Sequence, residues 1–342
     1  MKSYLLPKDG TFYKANMHTH TTMSDGNLTP EQVKDAYKSH GYSIVAFTDH
    51  DLLVDRRHLC DKDFLALNGL EVEANEVGDM HFQDKKTVHL CFIALSPDNL
   101  IQPCYHREKY LFGNAPLYRK QLKIDESKSD FERVYSIDGV NAMIEEGVKN
   151  GFFVTYNHPI WSEEVPEFYL NYKNMHAMEI CNYGSLVVGF DEYNPQIYDA
   201  FLKRGTRLFC VGGDDNHNKY PFNDRRSDSF GAFTMIKSPS LNYKDVTDAL
   251  VKGNFYASQG PEIHELYYEN ERVHIKCSPA DKIMMKTGTR HAVAFYDQTG
   301  KGITEAEFWV DTPIVNYVRF TVVDKEGKHA NTNAYYYKEF VK

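Results

Sequence analysis

The sequence predicts an α/β fold: a parallel β/α barrel of about seven units over residues 1–260, followed by a small antiparallel β-domain over 261–342. Three observations carry this. Apolar runs that read as strands buried on both faces alternate with helical segments through the first part of the chain. Five of those runs end in a histidine or carboxylate, and a sixth carries one within it; strand ends of that kind converge on one face of such a barrel. Past about Pro261 the helical period vanishes and short alternating segments take over, the pattern of a sandwich.

In chain order, strands are expected over 12–17, 43–47, 64–70, 87–95, 151–156, 176–181 and 207–211. Thr29-Pro30-Glu31-Gln32 is a capping box with Pro at the first helical position, opening a helix that stops near Gly41. Helices over 136–150 and 194–204 end at Gly151 and Gly205 with basic residues in their last turns, and a further helix spans 243–252. The polar, turn-rich stretch 97–135 lies between the strand bearing His89 and the next helix, the place of a lid or substrate loop. In the tail, strands are expected over 272–277, 291–296, 305–310 and 315–323, then an Asp324-Lys325-Glu326-Gly327 turn and a Tyr-rich last strand. His264, His274, His291 and His329 have no ligand spacing and read as surface or packing residues.

With 342 residues, 42% of them hydrophobic, the chain can bury a core of two-domain size. A net charge of −9 argues against a long nucleic-acid partner, which needs clustered Lys and Arg, and favours a small substrate. The start MKSYLLPKDG has no apolar signal segment and no run of 18 apolar residues occurs, so a soluble, cytoplasmic protein without a membrane partner is expected. The six cysteines are scattered singly and read as reduced thiols; Cys91 shares a strand face with His89 but behaves as a small buried hydrophobe.

The strand-end residues are His18, His20, Asp25, His50, Glu71, His89, His158, Asp215 and His217. Imidazole together with carboxylate suits Zn, Mn or Fe, and the set exceeds what one tetrahedral ion needs, so two to three divalent ions and no organic cofactor are expected. Glu71 has two oxygens with which to bridge ions. Asp25 sits in Ser24-Asp25-Gly26, a turn that either folds back to the site or only forms the turn.

These motifs resemble the polymerase and histidinol phosphatase (PHP) superfamily of metal-dependent phosphoesterases: His18-Thr19-His20 with Ser24-Asp25-Gly26, Thr48-Asp49-His50-Asp51, Gly69-Leu70-Glu71, Val88-His89, Asn157-His158-Pro159 and Gly213-Asp214-Asp215-Asn216-His217. The resemblance covers roughly residues 12 to 260, and the β-rich tail after Gly-Asn-Phe-Tyr-Ala-Ser is similar to the CehA-like branch. It implies a distorted seven-stranded TIM-like barrel and a trinuclear site: His18, His20, Glu71 and Asp215 on one ion, Glu71 with His89 and His158 on a second, and Asp25, His50 and His217 on a third. Glu71, Asp215 and His217 would carry catalysis. Asp214 would cap or support from behind, and Asp49 would orient His50 or bond backbone.

Three divalent ions against three carboxylates leave about +3, or about +2 with one bridging hydroxide, which complements a phosphate monoester dianion. The expected reaction is hydrolysis of a small phosphorylated metabolite, releasing phosphate, by a metal-bridging hydroxide attacking in line. Arg225 and Arg226 are the nearest candidates for a guanidinium clamp, the alternative being a solvated loop pair. Two other readings stay open. Such a hydroxide also attacks carbamates, esters and amides at carbon, and a metal-retaining binding module would keep the fold without turnover. Nothing in the sequence selects an oligomeric state.

Overall fold

The computed structural model describes residues 2–310 and 316–340. Its first part runs β1 (Ser3–Tyr4), β2 (Thr11–Asn16), α1 (Pro30–Ser39), β3 (Ile44–Phe47), β4 (Leu65–Asn75), β5 (Thr87–Ala94), α2 (Ile137–Lys149), β6 (Phe152–Tyr156), α3 (Pro166–Tyr169), β7 (Ala177–Asn182), α4 (Tyr183–Val187), α5 (Pro195–Lys203), β8 (Phe209–Gly213), β9 (Phe233–Ser238), α6 (Tyr243–Lys252) and β10 (Phe255–Ser258). All seven expected strands are present as β2 to β8. The expected helices are present too, and α1 starts as its sequence demands: Thr29 accepts from Gln32 N while Gln32 accepts from Thr29 N.

The sheet is mixed, which corrects the all-parallel expectation. Strands β2, β3 and β4 are parallel, as are β6, β7 and β8, but β5 lies antiparallel between β4 and β6. The cause is local. The β4–β5 connection holds no α-helix to carry a crossover, and Glu76 N bonds Lys86 O, closing it hairpin-fashion, so the chain must return antiparallel. Beyond β2 the sheet continues through β9 and β10, both antiparallel to their neighbours and neither expected. It also curls. Thr234 on β9 holds both the N–H and the carbonyl of Gly212 on β8 at 3.0 Å, and a Cβ at Gly212 would stand 2.9 Å from Phe233 O. No ladder joins β8 to β9 among the described residues.

The second part runs β11 (Ile263–Glu269), β12 (Arg272–Ala280), β13 (Lys282–Thr287), β14 (Ala292–Tyr296), β15 (Ile303–Trp309), β16 (Tyr317–Val323), β17 (His329–Thr332), β18 (Tyr335–Tyr336) and α7 (Tyr337–Phe340). The start of the strand expected over 315–323 lies outside the described residues. Strands β17, β16, β13 and β14 extend the large sheet from β10, while β1, β11, β12 and β15 form a second sheet. Between the two sheets Leu266, Ile275 and Phe308 pack with Ile283, Val318 and Phe320. The N-terminal strand therefore sits with the tail. Of the four tail histidines, His264 and His291 are exposed, His274 stacks on Tyr267 and His329 on Tyr193.

Among the described residues no helix is long and apolar enough to cross a membrane, and all six cysteines are free.

Candidate metal centre

Strand ends deliver the candidate ligands to one place. His18 and His20 follow β2, His50 follows β3, His158 follows β6, and Asp215 and His217 follow β8; Glu71 and His89 lie within β4 and β5. Asp25 comes from the turn after His20. All nine residues come together, and Glu71 stands at the centre. Five imidazole nitrogens face its two oxygens: His18 Nε2 at 3.2 Å, His89 Nδ1 at 3.1 Å and His158 Nε2 at 3.3 Å from Oε1, and His20 Nε2 at 3.3 Å and His50 Nδ1 at 3.4 Å from Oε2. Asp215 Oδ1 lies 3.2 Å from His18 Nε2 and 3.0 Å from His20 Nε2. Asp25 Oδ2 lies 3.2 Å from His217 Nε2 and 3.8 Å from His50 Nε2.

Hydrogen bonds alone serve this crowd poorly. His20 Nδ1, His50 Nδ1, His89 Nδ1 and Asp215 Oδ1 are buried without a hydrogen-bond partner, although such atoms are nearly always paired in folded proteins. Three groups of donor atoms each gather within 4.8 Å: His18, His20, Glu71 and Asp215; His50, Glu71 and His89; and His20, Asp25, His50 and His217. Mixed nitrogen and oxygen donors at this density fit divalent transition ions. The backbone is strained at the same place, since His158 holds φ at 25° and Asp215 at 52°, a region non-glycine residues rarely adopt.

The electrostatics agree with that fit. Burial raises the carboxyls of Glu71 and Asp215, but the facing imidazoles, His18 foremost, together outweigh it and hold both well below the usual carboxylate range. Burial lowers His20, yet the bonds to Asp215 and Glu71 lift it to about 10, and Glu71 does the same for His89. His50 falls to about 4 through burial and the neighbouring His20. The carboxylates thus draw positive charge into a buried space, the role that bound cations fill.

Behind the donors stands a supporting layer. Glu179, mid-strand in β7, accepts from His18 Nδ1 at 2.8 Å and from His158 N at 3.0 Å, fixing which His18 nitrogen faces the centre. Glu73 Oε2 meets His89 Nε2 at 3.1 Å, Ser162 Oγ lies 3.2 Å from His158 Nδ1, and Asn157 donates to Glu71 Oε1 at 3.1 Å. Glu179 was missed in the sequence, though a lone carboxylate inside an apolar strand run is the signal that could have found it.

Three neighbours of the donors have partners of their own. Asp214 points away from the centre. It accepts from the backbone N–H of Phe230, Gly231 and Ala232 and from Tyr37 Oη, and burial pushes its carboxyl up to about 7. Asp49 does not orient His50; it accepts from Thr21 N, Ser24 Oγ and Arg56 Nη2, and so holds the turn that presents Asp25. Of the two candidate arginines, Arg226 lines the cavity. Arg226 is bonded through Nε and Nη2 to Asp224 and lies over Tyr220 at 4.0 Å, while Arg225 is exposed and does not line the cavity. Asp224, two residues earlier, shares that guanidinium in a pair exposed to solvent.

The centre opens into a cavity of about 410 Å³, bordered by Phe112 and Trp161, by Val187 and Val188 after β7, and by Lys219 and Tyr220. The stretch 97–135 does reach it: Phe112 stands edge-on over His50 at 5.3 Å, and Arg133 ties the stretch to Asp51 beside the site through a buried pair at 2.5 Å.

Fold and site together define a mixed α/β protein whose strand ends gather a buried histidine–carboxylate cluster of metal-binding type. No family model and no curated protein matches the chain. Among solved structures it is similar to a two-domain protein containing a predicted PHP-like metal-dependent phosphoesterase from Bacteroides vulgatus ATCC 8482, at 16% identity over 97% of this chain and 98% of that one, with a TM-score of 0.46. It is also similar to a protein provisionally described as a metal-dependent phosphoesterase from Bifidobacterium adolescentis ATCC 15703, at 15% identity over 64% and 91%, TM-score 0.38. An amidohydrolase from Chromobacterium violaceum with bound sulfate matches at 17% identity over 59% and 87%, TM-score 0.35.

Proposed function

We propose that this chain is a metal-dependent phosphoesterase that hydrolyses a small phosphorylated metabolite, a phosphomonoester first, with its nine clustered residues holding three divalent ions of the Zn, Mn or Fe type. The observation that carries the reading is the convergence of five imidazole nitrogens on one buried carboxylate, with orphaned donor atoms around it. In this reading the curled strands β2 to β8 act as a distorted barrel rim within a 1–260 domain, and 261–342 is a second, β-rich domain to which β1 attaches.

His18, His20, Glu71 and Asp215 would hold the first ion, Glu71 with His89 and His158 the second, and Asp25, His50 and His217 the third. The distance of His50 Nδ1 from Glu71 also brings His50 within reach of the second group. Bound divalent ions supply Lewis-acid charge to the phosphoryl oxygens and lower the pKa of water towards neutrality. The chain supplies the rest. Glu71 and Asp215 stay ionised and set the spacing of the donors; Glu179 fixes the His18 tautomer; Asp49 keeps the Asp25 turn folded in. Lys219 at the rim offers a cation to an outer phosphate oxygen.

The test is a hydrolysis screen over phosphomonoesters, phosphodiesters and carboxyl esters with Mn or Zn. Metal-dependent release of phosphate from monoesters, abolished by chelation, is expected. Hydrolysis of carboxyl esters alone would place the reaction at carbon.

A further inference from the structure

The cavity wall has a chemistry of its own. Phe112 and Trp161 border the cavity: the Phe112 ring stands against His50, the Trp161 ring centroid lies 5.3 Å from that of His89 and 4.9 Å from that of His158, and the His50 and His89 centroids are 5.6 Å apart. Phe112 is 44% exposed and Val188 68% exposed, so apolar surface faces the opening rather than the core.

The backbone that carries both aromatic residues is pinned. Glu192, fully buried, accepts from Trp161 N at 2.8 Å and from Ile160 N at 3.3 Å. Next to Phe112, Gly113 holds φ at 58° and packs so closely on the Asp25 turn that a Cβ there would stand 2.3 Å from Ser24 O; Asn114 N bonds that same oxygen at 2.6 Å. These are built walls.

Most charge on the wall is already partnered. Glu73 meets His89, Asp228 accepts from the backbone N–H of His217 and Asn218, and Arg226 pairs with Asp224, which leaves Lys219 and the exposed face of Arg226 as the cations among the described lining residues. A sugar would lose water from its hydroxyls against apolar side chains.

Resting on the phosphoesterase reading, we infer that the site selects phosphate monoesters whose alcohol carries an uncharged apolar group about one aromatic ring in size, seated against Phe112 and Trp161. Burying such a ring is worth tenfold or more in kcat/KM, about what a hydrophobic pocket gains from a few methylenes.

The test compares 3-phenylpropyl phosphate, propyl phosphate and glucose 6-phosphate on Mn- or Zn-loaded protein. All three release a primary alcohol, so leaving-group chemistry is matched. The expected result is a kcat/KM for 3-phenylpropyl phosphate about tenfold or more above the other two, with that ratio shrinking in Trp161→Ala and in Phe112→Ala. Binding is read separately by Trp161 fluorescence in a Trp309→Phe background, since the chain has two tryptophans, Trp161 and Trp309. There 3-phenylpropylphosphonate should bind about tenfold tighter than propylphosphonate. Turnover of all three esters at equal kcat/KM, or preference for glucose 6-phosphate, overturns the inference and leaves the phosphoesterase reading standing. No turnover of any ester sinks the phosphoesterase reading, and the binding comparison then decides: the tenfold difference upholds the apolar wall, and equal affinities end it.

Discussion

Two parts of this chain bury charge in opposite ways. In the tail, Arg319 on β16 is 2% exposed and closes on itself: Nε and Nη2 reach Asp199 of α5 at 2.6 and 3.0 Å, Lys286 Nζ meets the same carboxylate at 2.5 Å, and Nη1 meets Thr321. At the strand ends, six histidines and three carboxylates crowd together, and imidazole and carboxylate atoms are left over. Charge that closes on itself ties two elements together. Charge that leaves donors facing one another serves something other than the chain.

The sharpest way to break this contrast is within one dipeptide. Asp215→Asn should abolish metal-dependent turnover and lower the bound metal, because an amide does not offset cationic charge. Asp214→Asn should keep its metals and lose activity by about 10 to 100-fold, as expected for a residue that only supports the donors. Metal analysis with steady-state kinetics on both variants checks this; equal loss in the two would mean the assignment within the pair is wrong. Glu179→Gln comes next. With the His18 tautomer no longer enforced, metal affinity should weaken by about 10 to 100-fold, read by competition with a chromophoric chelator, while a change of less than threefold would show that Glu179 is only packing.

On the other side of the contrast, Arg319→Met should cost about 3 kcal/mol in urea unfolding, the scale for removing one partner of a buried pair, with the metal content unchanged. The pH dependence has a definite sign. Burial raises the Asp199 carboxyl, but the bond and charge of Arg319, together with those of Lys286, outweigh it and hold the group below its ordinary value. The pair's stabilisation is then present above the unfolded value of about 4 and lost as pH falls through the lower folded value. The stability gap between wild type and Arg319→Met should therefore be full above about pH 5 and shrink towards pH 3; a gap that widens in acid would refute the pairing. Smallest of all, Arg225→Ala should leave stability within about 0.5 kcal/mol of wild type and kcat/KM within about twofold, since the side chain is exposed and away from the cavity.

Much of the site was legible because ligand-type residues stand at the ends of apolar runs, a pattern that survives without knowing how the strands pair. Pairing itself was not legible. The reversal of β5 depends on a connection without a helix, β9 and β10 are recognised only by their neighbours in the sheet, and β1 joins the tail sheet through partners more than 260 positions away, Tyr4 opposite Tyr267. Glu179 hid inside an apolar run, and Phe112 and Trp161 lie in loops whose path no periodicity encodes. The partner of Arg226, by contrast, was in plain view, since Asp224 stands two residues before it.

The central claim is that the strand-end cluster is a multi-ion centre, and counting metal tests it most directly. Purified full-length chain loaded with Mn or Zn, freed of excess ion and measured by elemental analysis, should hold more than two equivalents per chain. One equivalent or none would contradict the account.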